Sequence, residues 1–428
     1  MIISFAVLLI CVLLVAGISV PLAFAGVLVL ISFMADHDVS GFLPSGHWKM
    51  NSVILLAIPL FILAGAIMER GKIAKPIVEI AELVFGRVRG GLSAAAVIAS
   101  AMFGAISGSG AATLTCIAPI MMPHLQKCKY PRHFCAALMI SASPLGLLIP
   151  PSAAQLIYAW VTQQSVLKCF LATVVPGLIL TSLLVIVNFV QLRKYKDIEL
   201  TGSSENFTLE LTKKTKSAIP ALIMPIIILG GIYGGIMTPT EAAGLAVVYA
   251  IPIGFFVYKG LDLRIFFETV RDAAVTIGVV MVMVFMVLIV SRFLIFEDIP
   301  GMAEELIFSI SENPIIVLLM INLVMILIGM LMDDISGIIL CSSLLLPIAQ
   351  SAGMDPIHFA AVLGVNLGMG NITPPTAPLL YLGSRVTQVP VRQLIWPTLI
   401  MIIFAWMPTL VLTTFVPQIA LWLPNYFF

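Results

Sequence analysis

The chain has 428 residues, 61% hydrophobic and only 10% charged, with a net charge of +1 and a mean hydropathy of +1.13. Soluble domains carry about 25% charged residues, so this composition cannot clothe a water-facing surface and places the chain in a membrane. The near-neutral balance also removes nucleic acid or another polyanion as a bulk electrostatic partner.

Residues 1–35 contain no Asp, Glu, Lys or Arg, and no basic segment precedes the apolar run, which argues against a cleaved leader. Gly17 and Pro21 divide this run, so it reads as two helices, 2–16 and 20–35. Asp36, Asp38, His47 and Lys49 then read as solvating residues of a loop. A third helix leads to a charged arm over 70–89. Lys and Arg collect here and in 127–132, 193–216, 259–271 and 385–392, which together hold 19 of the 22 basic residues. Turning all five clusters to the cytoplasm satisfies the positive-inside rule. Both termini then lie in the periplasm, with about ten crossings between them. The segment 297–312 carries Glu297, Asp298, Glu304, Glu305 and Glu312 without Lys or Arg, so it faces the other side.

Clusters 70–89 and 127–132 share a face although the apolar run between them is long enough to span. The chain must enter and return, as a re-entrant hairpin over 92–123 with Ser107-Gly108-Ser109-Gly110-Ala111-Ala112-Thr113 at its tip. A second hairpin, 313–350, has Asp333-Asp334-Ile335-Ser336-Gly337 at its centre. Each is followed by a helix broken at Gly and Pro. The breaks fall at Ser143-Pro144-Leu145-Gly146 through Pro150-Pro151-Ser152 (helix 134–160) and at Gly368-Met369-Gly370-Asn371-Ile372-Thr373-Pro374-Pro375-Thr376 (helix 358–384).

The chain also repeats itself. Gly17 to Pro21 matches Gly235 to Pro239, Pro131-Arg132-His133-Phe134 matches Pro356-Ile357-His358-Phe359, and Pro150-Pro151-Ser152-Ala153 matches Pro374-Pro375-Thr376-Ala377, all at nearly one spacing. Two halves follow, 1–190 and 218–428, joined by a cytoplasmic linker at 191–217. Their arms carry opposite charge, so the halves are inverted. The expected fold is an all-α polytopic membrane protein with two re-entrant hairpins and two broken helices, the pattern of secondary transporters.

Irregular backbone at membrane depth survives only around a cavity or buried in protein. Freed carbonyls and hydroxyls at the two breaks suit a hard monovalent cation such as sodium, and half-helix N-termini suit an anionic group. Sodium is therefore expected where the first tip (Ser107, Gly108, Ser109, Thr113) meets the first break (Ser143, Gly146, Pro150). A second site is expected where Asp334, Ser336 and Gly337 meet Gly368, Gly370 and Thr373. Ser152, Asn371, Thr376 and Arg292 are assigned to a carboxylate substrate. The plainer alternatives are proline kinks with packing glycines, an N-cap role for Asp334, and pairing of Arg292 with Glu297 or Asp298. The six cysteines are scattered, with no C-x-x-C, and read as small apolar residues. No covalent cofactor and no catalytic residue is expected.

The SGSGAAT tip, the LLIPPS break, the GIMTPTEAAG turn and the GMGNITPPTAP break together resemble the large membrane subunit of tripartite ATP-independent periplasmic (TRAP) transporters, over essentially the whole chain. The resemblance implies a multi-pass protein of the bacterial inner membrane, an elevator-type transporter driven by a sodium gradient. It also implies two partners, a small four-helix membrane subunit and a periplasmic substrate-binding protein, and organic acids as substrates. Two rivals stand beside it. A self-sufficient ion-coupled carboxylate transporter of related fold differs in needing no binding protein. An intramembrane enzyme is opposed by the lack of an H-E-x-x-H and of a histidine partner for Ser107.

Overall fold

The computed structural model describes residues 9, 12–13, 16–18, 20–34, 41–195, 197–199 and 207–428. The expected first helix, 2–16, lies largely outside these residues, as do Asp36 and Asp38. Gly17 turns the chain at φ +80°, and α1 follows over Val20–Met34.

A short helix, α2 (Phe42–Met50), replaces the expected loop. It is docked rather than free: Phe42 stacks edge-on against Phe293 and Phe296, with ring centroids 6.2 and 5.9 Å apart. Gly46 approaches so closely that a Cβ there would lie 2.8 Å from Ile289 Cγ1. Tertiary contact fixes this helix, because nine residues are too few to form one alone.

The rest of the first half runs α3 (Ala57–Arg70), the arm α4 (Ala74–Phe85), α5 (Gly91–Ser107) and α6 (Gly110–Lys127). Next come α7 (Arg132–Ala142), a single turn at Leu145–Leu148, α8 (Ala153–Thr162) and α9 (Val166–Leu192). The second half begins with α10 (Phe207–Tyr233) and α11 (Pro239–Pro252), which continues through a π-turn at Ile253–Val257. It proceeds through α12 (Leu263–Phe296), the arm α13 (Ile299–Ile310), α14 (Pro314–Leu331), α15 (Asp334–Leu344) and α16 (Leu346–Ser351). It ends with α17 (Pro356–Gly370), α18 (Pro378–Thr387), α19 (Val391–Met401), α20 (Met407–Phe415) and α21 (Pro417–Phe427). No strand occurs among the described residues.

Among the described residues, seven helices are long and apolar enough to cross a membrane, and α7 with α8, bent by 41°, would make an eighth. One of the seven is α14, expected as a mere hairpin limb. Its 18 residues reach about 27 Å, yet the chain reverses after it. Gly329 on α14 packs against Leu367 and Gly370, and Gly337 on α15 returns to Leu367 and Ile328.

The basic clusters come together in space. His124 Nδ1 lies 3.0 Å from Glu82, Lys129 Nζ 2.5 Å from Glu199, and Arg70 3.8 Å from Asp272. Arg132 donates to the Thr387 carbonyl at 2.8 Å. These links join all five clusters on one face, as side-by-side entry and exit of the hairpin at Gly91–Lys127 requires.

Small residues let the interior helices approach closely, the usual means of packing where lipid supplies no hydrophobic drive. One such approach joins a hairpin to a break: a Cβ on Gly104 of α5 would sit 2.7 Å from Gly146 Cα and 2.8 Å from its nitrogen. Gly230 of α10 has nothing within 4 Å of the same point. Gly104→Ala is expected to lower stability by about 1–3 kcal/mol through overpacking, while Gly230→Ala leaves it unchanged or raises it by up to ~1 kcal/mol. Thermal unfolding of the two purified variants in detergent checks the contrast. Equal midpoints would mean that the hairpin is not held against this break.

Candidate functional site

Two helix ends stop inside the protein at each hairpin, and each finds its polar partners in the neighbouring broken helix. In the first unit, Gly108 takes φ +62° between α5 and α6, where a Cβ would lie 2.8 Å from the Pro151 carbonyl oxygen. Only glycine combines that conformation with that approach. Ser109 then caps α6, accepting from Ala112 N at 3.5 Å, and Thr113 Oγ1 donates to the Ser109 carbonyl at 2.8 Å. Ser107 Oγ lies 3.1 Å from Thr113 Oγ1. Across from them, Gly146 sits where a Cβ would meet the Ser109 carbonyl at 2.9 Å and Thr113 Oγ1 at 3.0 Å. The expected meeting of this tip with this break is therefore present as direct backbone contact.

At the break itself, Ser143 Oγ donates to the Ile140 carbonyl at 2.8 Å. Residues 149–152 run extended or turned, Pro150–Pro151 being a cis bond. Ser152 stands at the N-cap of α8 without capping it, and its buried Oγ has no hydrogen-bond partner.

The second unit is built alike but carries charge. Asp333 caps α15, accepting from Ile335 N at 3.1 Å and from the Ser336 hydroxyl. Asp334 lies in the first turn of α15 and accepts from the side-chain amide of Asn371 at the second break. The cap is thus Asp333, and Asp334 is free of that duty. Thr376 donates to the Met330 carbonyl, and Thr373 Oγ1 donates to the Met369 carbonyl at 2.6 Å. Gly370 closes on Gly329, where a Cβ would come within 2.7 Å of backbone. The amide oxygen of Asn371, like Ser152 Oγ, is buried without a partner.

Two assignments fall elsewhere. Gly368, expected beside Asp334, faces the ring of Trp406 instead: a Cβ there would lie 2.7 Å from Cη2 of that ring and 3.2 Å from Pro144 Cβ. It therefore joins the two breaks to each other. Arg292 does not border the space between the tips; it is exposed near Lys49, at the far end of α12.

Both tips open onto one cavity of about 350 Å³. Ser107, Gly108, Ser109 and Asp334 form its inner end; α3 (Phe61 to Arg70) and α12 (Thr269 to Val280) form its wall. Its mouth holds Arg70 and Asp272, so it opens toward the face of the basic clusters. A second cavity, of about 520 Å³, lies at the other ends of the same helices. It is bounded by Lys49 and Ser52 before α3, Trp160–Gln163 at the end of α8, Leu288, Ser291 and Ile295 of α12, and Ser342 and Pro347 of α15 and α16. Along its wall, Ser291 Oγ donates to Ser343 Oγ at 2.6 Å and Trp160 Nε1 to Ser52 Oγ at 3.1 Å.

Sequence reasoning missed a buried polar knot behind the second unit. Asn366 Nδ2 donates to Asn322 Oδ1 at 2.7 Å, and Thr414 Oγ1 reaches the same oxygen at 3.4 Å. The signal was available, since Asn322 is the single polar side chain of α14 and polar groups at membrane depth are costly. Glu69, Arg70 and Asp272 at the first cavity were also overlooked, because charges at helix ends read as solvated.

A family model described as the tripartite ATP-independent periplasmic transporter, DctM component, matches residues 3–419. The chain belongs to this family. It is 34% identical over 411 residues to the C4-dicarboxylate TRAP transporter large permease protein DctM of Pseudomonas aeruginosa, covering 95% of this chain and 94% of that one. It is 31% identical to the sialic acid TRAP transporter large permease protein SiaM of Vibrio cholerae, over 96% of both chains. The isethionate TRAP transporter permease protein DctMQ of Oleidesulfovibrio alaskensis is 34% identical over 87% of this chain, which spans only 58% of that longer relative. Among solved structures, the YdaH transporter of Alcanivorax borkumensis aligns with a TM-score of 0.60 over 88% of this chain and 86% of its own, at 14% identity, a likeness of fold alone. The protein is a TRAP-type large permease subunit, a multi-pass protein of the bacterial inner membrane.

The link between Asn371 and Asp334 is the only side-chain contact described from tip to break in the charged unit that involves a carboxylate. Asn371→Leu removes the donor and leaves Asp334 facing an apolar group, with an expected cost of about 1–3 kcal/mol. Asn371→Asp instead sets two carboxylates together and should destabilise more in sodium-free buffer than in sodium. Melting curves of both variants with and without sodium chloride, against choline chloride, read out the difference.

Proposed function

We propose that this chain is the transport path for sodium-coupled uptake of a small organic acid, working with a small four-helix membrane subunit and a periplasmic substrate-binding protein. The observation that carries the reading is Asp334. It sits at the inner end of the first cavity between a hairpin tip and a helix break, and no ion pair among the described residues supplies it with a cation. A carboxylate in that position calls for a positive partner, and the surrounding hydroxyl and carbonyl oxygens suit sodium. The uncharged oxygens of the first unit suit a second sodium. Substrate then lies between the tips near Ser152, Asn371 and Thr376, two of which have buried oxygens awaiting partners. The relatives named above carry C4-dicarboxylates, sialic acid or isethionate in their names, all acids that are anionic at neutral pH. The chemistry is binding and movement, with neither a covalent cofactor nor a catalytic residue.

Movement follows from the two cavities. The hairpins and broken helices slide as a body along α3 and α12, exposing the site to one face and then the other, and the halves 1–190 and 218–428 are inverted copies that make the two end states alike. Reporter fusions after residue 205 should then read cytoplasmic and fusions after residue 305 periplasmic. A cytoplasmic reading at both positions contradicts the inversion.

Coupling is tested in proteoliposomes containing the chain, its small subunit and an external binding protein. Asp334→Ala and Thr373→Ala should each raise the sodium concentration for half-maximal uptake, by about tenfold for a loss near 1.4 kcal/mol of ion binding. Unchanged sodium dependence in both would reduce these residues to structural roles. Uptake that persists without binding protein would favour the self-sufficient transporter instead.

A further inference from the structure

We infer that Trp406 is a positioning residue that couples the two sodium sites, so that filling one prepares the other; the inference rests on the sodium-coupled reading above. The two hairpin tips lie on separate helix pairs, but the two breaks share one side chain. Trp406 is fully buried and the largest such side chain among the described residues. Its Nε1 donates to the Ser141 carbonyl oxygen at 3.1 Å, at the entry to the first break. The far edge of the same ring lies over the second break. A Cβ on Gly368 would come 2.7 Å from Cη2 of that ring, 2.9 Å from Cζ3 and 3.2 Å from Pro144 Cβ. One rigid indole thus has a break at each end.

The breaks themselves create the need for these contacts. Pro144 has no N–H to return to Ile140, and the Ile140 carbonyl takes the Ser143 hydroxyl and the Ser143 N–H instead, at 2.8 and 3.3 Å. The next carbonyl, that of Ser141, takes the indole. Ser143 of the first sodium site is therefore two positions from the point that the indole holds. At the other break, Gly368 stands two residues before Gly370, which closes on Gly329 of the second hairpin. The backbone that carries Trp406 is irregular as well. A π-turn over Ile402–Trp406 joins α19 to α20, and Pro408 has no N–H for the Phe404 carbonyl. Such turns collect at functional sites, and this one brings Trp406 to the breaks from helices that form neither tip.

A sodium ion that draws in the oxygens of the first unit also draws on Ser143 and Ser141. A close-packed interior transmits that displacement rather than absorbing it, and the indole passes it to Gly368. The coupling is reciprocal, since each ion must favour the other by the same factor. Its use is to make the half-loaded state rare, so that the carrier seldom moves with one ion alone.

The test measures sodium binding, without substrate or gradient, on the complex of this chain and its small subunit in nanodiscs. Radioactive sodium should bind the native complex with a Hill coefficient of about two, the number of proposed sites, and Trp406→Phe should lower it to about one. Phenylalanine keeps a ring in the space and removes the donor to Ser141; thermal unfolding establishes that the variant is folded. Thr113→Ala, which cripples the first site, should weaken sodium at the second about fivefold or more in the native background and leave it unchanged beside Trp406→Phe. A tryptophan that only fills space would change stability and leave these factors alone. A second measurement needs no substitution of Trp406: fluorotryptophan is incorporated into a chain whose other four tryptophans are phenylalanine. Its fluorine resonance should shift with sodium in Asp334→Asn, where only the first site is intact, and in Thr113→Ala, where only the second is. A resonance that answers to one site alone overturns the proposal. So does a Hill coefficient of about one in the native complex, or cooperativity that survives in the folded Trp406→Phe variant. A native complex that binds no sodium overturns the uptake reading, and the proposal with it.

Discussion

A helix that ends inside a membrane leaves main-chain donors and acceptors that lipid cannot satisfy, and among the described residues two hairpin tips and two helix breaks raise this demand. Each hairpin tip solves its problem with the adjacent break. Gly108 lies on the Pro151 carbonyl and Gly146 on the Ser109 carbonyl, while Gly370 closes on Gly329 and Thr376 donates to the Met330 carbonyl. Beside these contacts, one buried oxygen at each break, Ser152 Oγ and Asn371 Oδ1, is without a partner. Structure and site are therefore one arrangement, and a side chain added at these glycines would disturb both.

The two units differ in electrostatics. The first has only hydroxyls and carbonyls, while the second adds Asp333 and Asp334. Asp333 is consumed by its cap, with Ile335 N and the Ser336 hydroxyl as partners. Asp334 takes its hydrogen bond from Asn371, across the gap between tip and break. Helix capping takes one of the two adjacent aspartates and leaves the other for the cation proposed above.

The breaks and tips were legible because Ser-Gly-Ser-Gly and Pro-Pro are incompatible with continuous helix, whatever surrounds them. Which break meets which tip was also legible, since chain order leaves few choices. Side-chain direction was not. Gly368 turns to Trp406 and Pro144, and Trp406 lies 38 positions further along the chain, a contact that no local pattern announces. The helix α2 was invisible for a related reason, its existence depending on Phe42 and Gly46 finding α12 rather than on a period of its own. Arg292 stands out in the sequence as a solitary cation, but its place at the far end of α12, away from the tips, is a property of packing.

Helix α12 borders both cavities, with Asp272 at the mouth of the first and Arg292 beside the second. Twenty residues separate them, a rise of about 30 Å, with no charge between. That length is close to the hydrocarbon thickness of a bilayer. The helix thus acts as a ruler, its two charges marking the two water boundaries. A thinner bilayer would leave apolar turns in water or tilt the helix, and a thicker one would draw a charge inward. Either response shifts the wall that lines both cavities, so under the sliding movement proposed above the acyl-chain length of the surrounding lipid becomes a variable of the mechanism.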